Sequence, residues 1–127
     1  MKIAEKLDKL NLEELETFIN DNFEEFGMFF ISYLLEKYNS SGNEQYALII
    51  SKLVNTAACY WEGADFFRLN LYENVLKNKP NSELFLEMIL HFGLPPYISD
   101  MKGYFDFEMY KNRLYKLNPS NEIFKKL

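Results

Sequence analysis

The chain has 127 residues, of which 48% are apolar and 17% are aromatic, and its formal net charge is −5. This length and composition predict one folded domain over residues 1–127 and exclude fibrous and disordered chains. The acidic balance argues against nucleic acid as a ligand, because an acidic surface repels phosphate backbones, and it favours a cationic protein partner.

The cysteine content and the apolar runs bear on where the protein works. Cys59 is the single cysteine, so an internal disulfide is excluded. The opening residues are amphipathic and charged, unlike a secretion signal, and no apolar run approaches the roughly 18–20 residues of a membrane span. We therefore expect a cytoplasmic protein that makes no membrane contact.

Helical patterns begin at the start of the chain. The first predicted helix spans Lys2–Leu10. Asn11 followed by Glu14 has the pattern of a capping box and opens a second helix. The polar triplet Asn20–Asn22 predicts an interruption, after which a third helix runs over Phe23–Tyr38.

A loop and two further helices follow. Residues 39–43 have the composition of a loop. Apolar residues then recur at steps of three and four over Tyr46–Trp61, which predicts one continuous helix that ends at Gly63. Asp65 is expected to cap the next helix, Phe66–Lys79.

The remaining elements are also helical, and almost no run alternates with a period of two. They are a helix opened by Asn81 or Ser82 and continuing through Phe92, a break at Gly93–Pro96, irregular residues 97–104, a helix over Phe105–Leu117, a turn at Asn118–Ser120 and a last short helix. The pattern predicts an all-α fold, a compact bundle or short superhelix of about six to eight helices packed as antiparallel helical hairpins.

The stretch Gly63–Asn81 resembles the second half of a tetratricopeptide repeat. The matching residues, at fixed steps after Gly63, are Tyr72, Val75, Leu76, Pro80 and Asn81. The resemblance implies a helical hairpin and a surface that binds a peptide or helix of a partner, with no chemistry of its own. Val75 and Arg68 stand where the family has alanine, and no second copy occurs about 34 residues away.

Residues able to carry catalysis or bind a metal are few. His91 follows Glu87 by four residues, but one histidine and one glutamate do not make a metal site, and a partly buried or interface position is the alternative. Cys59 has an aromatic and acidic setting that favours a packed thiol over a nucleophile. We expect no enzymatic activity, no metal and no cofactor; a helical hydrolase or transferase is the third hypothesis.

Acidic residues are concentrated at the start of the chain, where residues 1–25 hold three lysines and eight acids. Solvated helix faces and general acid–base catalysis are alternatives for these carboxylates, although acid–base work needs burial to separate their pKa values. We predict that they bind a partner; the residues concerned are Glu13, Glu14, Asp21, Glu24 and Glu25.

A second candidate patch surrounds Gly63. Trp61 is flanked by Glu62 and Asp65, and an aromatic residue among acids at a helix end can anchor a protein partner. Trp61 also continues the apolar stripe of the preceding helix, so packing in the core is the alternative for this side chain.

In overall character the chain is similar to small bacterial toxin-immunity proteins, including those paired with contact-dependent growth inhibition toxins. The similarity lies in a short, acidic, single-domain chain rich in Asn, Lys, Ile and Phe. It implies one protein partner, a basic toxin domain whose active site an acidic surface covers. A tetratricopeptide-like adaptor is the alternative, and the aromatic content is compatible with a homodimer.

Overall fold

The computed structural model describes residues 2–95, 97 and 101–127, and these residues form two compact units. The N-terminal unit ends at Ala64, and the C-terminal unit begins at Asp65. No strand occurs in the part of the chain that the structure describes, so the predicted all-α class is confirmed. A single domain over residues 1–127 stays a prediction.

The helices follow one another with short connections. The N-terminal unit contains α1 (Ile3–Asp8), α2 (Leu12–Ser41) and α3 (Glu44–Asn55). At the boundary begins α4 (Ala64–Asn78), which is followed by α5 (Glu83–Leu90), α6 (Phe107–Leu117) and 3-10 turns at His91–Gly93, Lys102–Tyr104 and Glu122–Lys125.

The predicted capping box at the start of α2 is present. The Glu14 amide donates to the Asn11 side chain over 2.8 Å, and the Asn11 amide donates to Glu14 Oε1 over 3.1 Å. These reciprocal bonds satisfy two of the donors that a helix start leaves without an intrahelical partner.

The predicted interruption at Asn20–Asn22 is wrong, because α2 continues through it for 30 residues. Ile19 and Phe23 keep the apolar face buried on both sides of the triplet. The Asn22 side chain donates to the Phe18 carbonyl over 2.8 Å, within the helix. A polar triplet that lies toward solvent therefore leaves the helix intact.

The loop predicted over residues 39–43 is shorter than expected, since α2 ends at Ser41. Gly42 has φ of 70°, in the left-handed region that favours glycine, and its amide donates to the Tyr38 carbonyl over 2.8 Å. This is the helix end for which glycine is best suited.

The prediction that one helix runs from Tyr46 to Gly63 is also wrong, because α3 ends at Asn55. The Thr56 hydroxyl donates to the Lys52 carbonyl over 2.7 Å, while the Thr56 amide donates to Leu53. The Thr56 amide therefore bonds three residues back instead of four, and α3 ends there. Residues 56–62 form turns, so Trp61 does not lie on α3.

The core of the N-terminal unit lies between α2 and α3, which pack against each other. Its deepest side chains are Leu15, Ile19, Phe30, Leu34, Ala47, Ile50 and Leu53. Leu7 docks α1 on this core with 1% exposure. Beside it, Asp8 accepts hydrogen bonds from the Tyr33 hydroxyl at 2.6 Å and from Lys37 at 2.7 Å.

The core of the C-terminal unit is aromatic and centres on Tyr72. The Tyr72 ring lies 5.8 Å from Phe85 and 5.9 Å from Phe92, centroid to centroid. Val75 and Leu76 are also buried, and α4 ends before Pro80, as predicted for this helix. Since α3 and α4 belong to different units, their pairing as a helical hairpin stays a prediction.

The prediction that Asp65 caps α4 is wrong, because the helix already begins at Ala64. Its carboxylate instead binds Arg68 Nη2 over 2.6 Å. The Arg68 guanidinium is almost buried and lies 5.1 Å above the Phe92 ring. Aromatic faces and a carboxylate thus accommodate the charge of Arg68 inside the C-terminal unit.

The later helices were predicted closely. Ser82 caps α5, which ends at Leu90 and is followed by the 3-10 turn through Phe92. Asp106 caps α6, which begins at Phe107, two residues after the predicted start at Phe105. The last helix is a 3-10 turn over Glu122–Lys125. Parts of the break at 93–96 and of the irregular segment 97–104, namely Pro96, Ile98, Ser99 and Asp100, lie outside the described residues.

Gly93 gives a test of packing in the C-terminal unit. An added Cβ would fall on the Phe107 ring, which is itself 6% exposed. We expect Gly93→Ala to lower the free energy of unfolding by about 1–3 kcal/mol. Urea unfolding measures this, with Gly103→Ala as the control because its Cβ meets open space. Equal stability of the two variants would contradict the packing described.

Candidate functional site

The five predicted carboxylates all belong to α2. Because this helix is continuous, residues 13–25 follow one axis for about 18 Å. At about 100° per residue, the five lie within an arc of about 120°. We call this set the acidic stripe; its members, all exposed, are Glu13, Glu14, Asp21, Glu24 and Glu25.

Two shallow depressions lie along the acidic stripe. The first, of about 390 Å³, is lined by Leu10, Glu13, Glu14, Thr17, Phe18 and Asp21. The second, of about 540 Å³, is lined by Asn20, Asp21, Asn22, Phe23, Glu24, Glu25 and Ala57. Every member of the stripe borders one of them, and Asp21 borders both, so the carboxylates surround concave surface rather than a flat face.

The first depression has an apolar floor next to its carboxylates. Phe18 is half-buried, and the Lys6 ammonium of α1 lies 5.0 Å from the centre of its ring. The aromatic face therefore already carries a cation from within the chain. A cationic side chain of a partner can gain from the neighbouring carboxylates and, if it displaces Lys6, from this ring as well.

Trp61 lies next to α2 within the N-terminal unit. Its ring centroid is 5.7 Å from that of Phe23, and a Cβ added at Gly27 would be 3.6 Å from the indole. Glu24 lies one helical turn before Gly27. Trp61 is nevertheless 40% exposed, so it packs on α2 and also presents a face to solvent.

The other two members of the second candidate patch differ from Trp61. Glu62 is exposed in the turn beside it. Asp65 belongs to the C-terminal unit, where its carboxylate is engaged by Arg68. The structure therefore brings Trp61 to α2 within one unit, whereas Asp65 has an ion-pair partner in the other.

The structure shows an exposed apolar side chain that the sequence analysis missed. Met28 is 72% exposed and follows Asp21 by seven residues, two turns along the same side of α2. The spacing of seven residues from Asp21 places Met28 on the side of the carboxylates only in a helix that continues through Asn22, and the sequence predicted an interruption there. A single exposed apolar side chain is normal at a protein surface, but Met28 lies on the same side of α2 as the acidic stripe.

The residues considered for catalysis or metal binding, His91, Glu87 and Cys59, do not form a cluster. Among the described residues, no group of three or more His, Cys, Asp or Glu side chains is arranged to hold a metal ion. His91 is exposed. Cys59 is exposed as well, so the expectation of a packed thiol is wrong. Glu87 does not face His91 in a hydrogen bond; its Oε2 accepts from the Asn121 side chain over 3.4 Å.

Comparison with models of protein families, with curated proteins and with solved structures gives no match to this chain. Within the described part of the chain, no helix combines the length and the apolar character that crossing a membrane requires.

Asp8 gives a pH-dependent test of how α1 is held beside the acidic stripe. The hydrogen bond from Lys37, followed by that from Tyr33, lowers the pKa of Asp8 below its usual 3.8. The stabilisation is therefore present above that pH and is lost as the pH falls through the lowered pKa. We expect Asp8→Asn to unfold at lower urea concentration than the wild type at pH 7 and equally at about pH 2.

Asp21→Asn is the matched control for this measurement. Its exposed carboxylate accepts no hydrogen bond from the described residues, so the variant should unfold like the wild type at either pH. A deficit of Asp8→Asn that persists undiminished at low pH would contradict the role given to its charge.

Proposed function

We propose that this is a protein-binding protein of the bacterial cytoplasm, an immunity protein that neutralises a toxin of the contact-dependent inhibition type. The observation that carries the proposal is the acidic stripe, five exposed carboxylates along one side of the continuous helix α2. The net charge of −5 also favours a cationic partner.

The partner is a toxin domain with a basic active site. Toxins that cleave nucleic acids need a basic cleft to hold phosphates, and an acidic surface is complementary to such a cleft. Long-range attraction accelerates the encounter, and the bound stripe then excludes the nucleic acid. The toxin's lysine and arginine side chains enter the two depressions, where carboxylates lie beside Phe18 and Phe23.

Trp61 and Met28 supply the apolar part of this interface. Salt-screened ion pairs at a surface contribute little affinity by themselves, whereas a well-packed aromatic anchor contributes much of it. Trp61 is held in place by Phe23 yet 40% exposed, so little conformational entropy is lost when its free face is covered. An immunity protein of this kind would act in the cytoplasm, which the toxin enters.

The proposal predicts that a toxin gene lies directly upstream of the gene for this chain, and co-expression with that toxin tests it. We expect cells to survive with the wild-type protein and to die with Glu24→Lys plus Glu25→Lys. This variant should bind the toxin at least tenfold more weakly and with a reduced dependence on salt. Death of cells that contain abundant, soluble wild-type protein would refute the immunity function.

A matched control separates the acidic stripe from the net charge. Glu36→Lys plus Glu108→Lys makes the same change in charge at exposed positions outside the stripe, and it should protect cells as the wild type does. If both double variants lose affinity equally, overall charge and not the stripe determines binding.

Truncation of Trp61 tests the apolar anchor. We expect Trp61→Ala to weaken toxin binding about tenfold or more, while the free energy of unfolding falls by about 1–2 kcal/mol. Calorimetry and urea unfolding measure the two quantities. Tyr60→Ala is the control, since Tyr60 is 95% exposed; equal effects of the two substitutions would exclude a special role for Trp61.

The second candidate function is a tetratricopeptide-like adaptor that binds a peptide or helix. The observation in its favour is α4, which ends before Pro80 and buries Tyr72, Val75 and Leu76 at the matching positions. Co-expression distinguishes the two functions, because an adaptor would leave the toxin active. Failure of a pull-down to recover any protein partner would count against it.

A further inference from the structure

The C-terminal unit contains a polar cleft that neither hypothesis uses. It has a volume of about 460 Å³ and lies between one face of α4 and the first turns of α6. The polar side chains that line it are Asn70, Glu73, Asn74, Lys77, Tyr110 and Arg113. Most facing helices meet through apolar residues, whereas this cleft carries side chains of both signs of charge.

The negative charge of this cleft is the Glu73 carboxylate, which a hydrogen bond from Tyr110 orients. The Tyr110 hydroxyl donates to Glu73 Oε2 over 3.1 Å. Burial, followed by the charge of Glu73, raises the pKa of Tyr110 to about 12, so the phenol stays a donor at neutral pH. One carboxylate oxygen is thereby fixed, and the other is left to accept from a ligand.

The two positively charged side chains of the cleft, Arg113 and Lys77, are available to a ligand. Arg113 lies 5.4 Å from the centre of the Tyr110 ring, and its Nη2 donates to Met109 Sδ at 3.8 Å, a weak acceptor. Among the described residues, neither Arg113 nor Lys77 forms an ion pair. Tyr110 therefore has a carboxylate at its hydroxyl and a guanidinium over its face.

We propose that this cleft binds a free α-amino acid as a zwitterion. The ammonium group donates to Glu73, and the carboxylate accepts from the planar fork of Arg113 and from Lys77. The amides of Asn70 and Asn74 complete the polar wall, while Met109 contacts the side chain of the ligand. A ligand with only a negative charge would be repelled by Glu73, and a ligand with only a positive charge would be repelled by Arg113 and Lys77.

Three matched probes test the pairing of charges with the full-length protein. They are L-leucine, N-acetyl-L-leucine, which has no ammonium, and L-leucinamide, which has no carboxylate. We expect saturable shifts of the Met109 methyl NMR signal with L-leucine and affinities at least tenfold weaker for the two blocked probes. The Met28 signal, in the other unit, should not move.

Variants assign each charge to its residue. Glu73→Gln should abolish the preference for L-leucine over N-acetyl-L-leucine, and Arg113→Gln the preference over L-leucinamide. Glu108→Gln and Lys116→Gln make the same changes of charge on α6 outside the cleft and should change neither preference. Equal binding of all three probes, or no shift with any, would overturn the proposal. Because the acidic stripe is not involved, Glu24→Lys plus Glu25→Lys should bind L-leucine normally, whatever becomes of the immunity function.

Discussion

The N-terminal unit depends on the apolar face of α2, which is maintained without a break over 30 residues. Most of the stability of a helix in a folded protein comes from the apolar face that it packs against other elements. Ile19 and Phe23 provide that burial across the polar triplet, and Phe30 and Leu34 continue it against α3. The same continuity holds the carboxylates of residues 13–25 on one side, so a property of the core determines the arrangement of charge at the surface.

The fold class was predictable because helical periodicity and capping residues are local signals. The capping box at Asn11 and the end of α4 before Pro80 lie where the sequence indicated. Asn20–Asn22 misled, because composition does not say whether polar residues lie at a break or on the solvent side of a continuous helix. The stretch after Asn55 led to the opposite error, because α3 ends at Asn55 while the apolar spacing continues beyond it.

Candidate sites were predictable only where one helix carries them. The acidic residues of α2 share a side because their spacing determines their angle about one axis. The packing of Trp61 on Phe23 joins residues 38 positions apart, and the contact of Glu73 with Tyr110 joins residues 37 apart. No local pattern encodes such pairs, because they depend on how the helices pack. The cleft between α4 and α6 could therefore not be predicted from the sequence.

The attachment of α1 has a consequence for the dynamics of the protein. A helix of six residues has almost no stability of its own in water, so α1 is folded only while Leu7 and Asp8 hold it on α2. Its amide hydrogens exchange through a local opening whose free energy is that of docking and not of global unfolding. Such an opening withdraws Lys6 from the Phe18 ring. The aromatic floor of the first depression then becomes accessible to a competing cation while α2 and α3 remain folded.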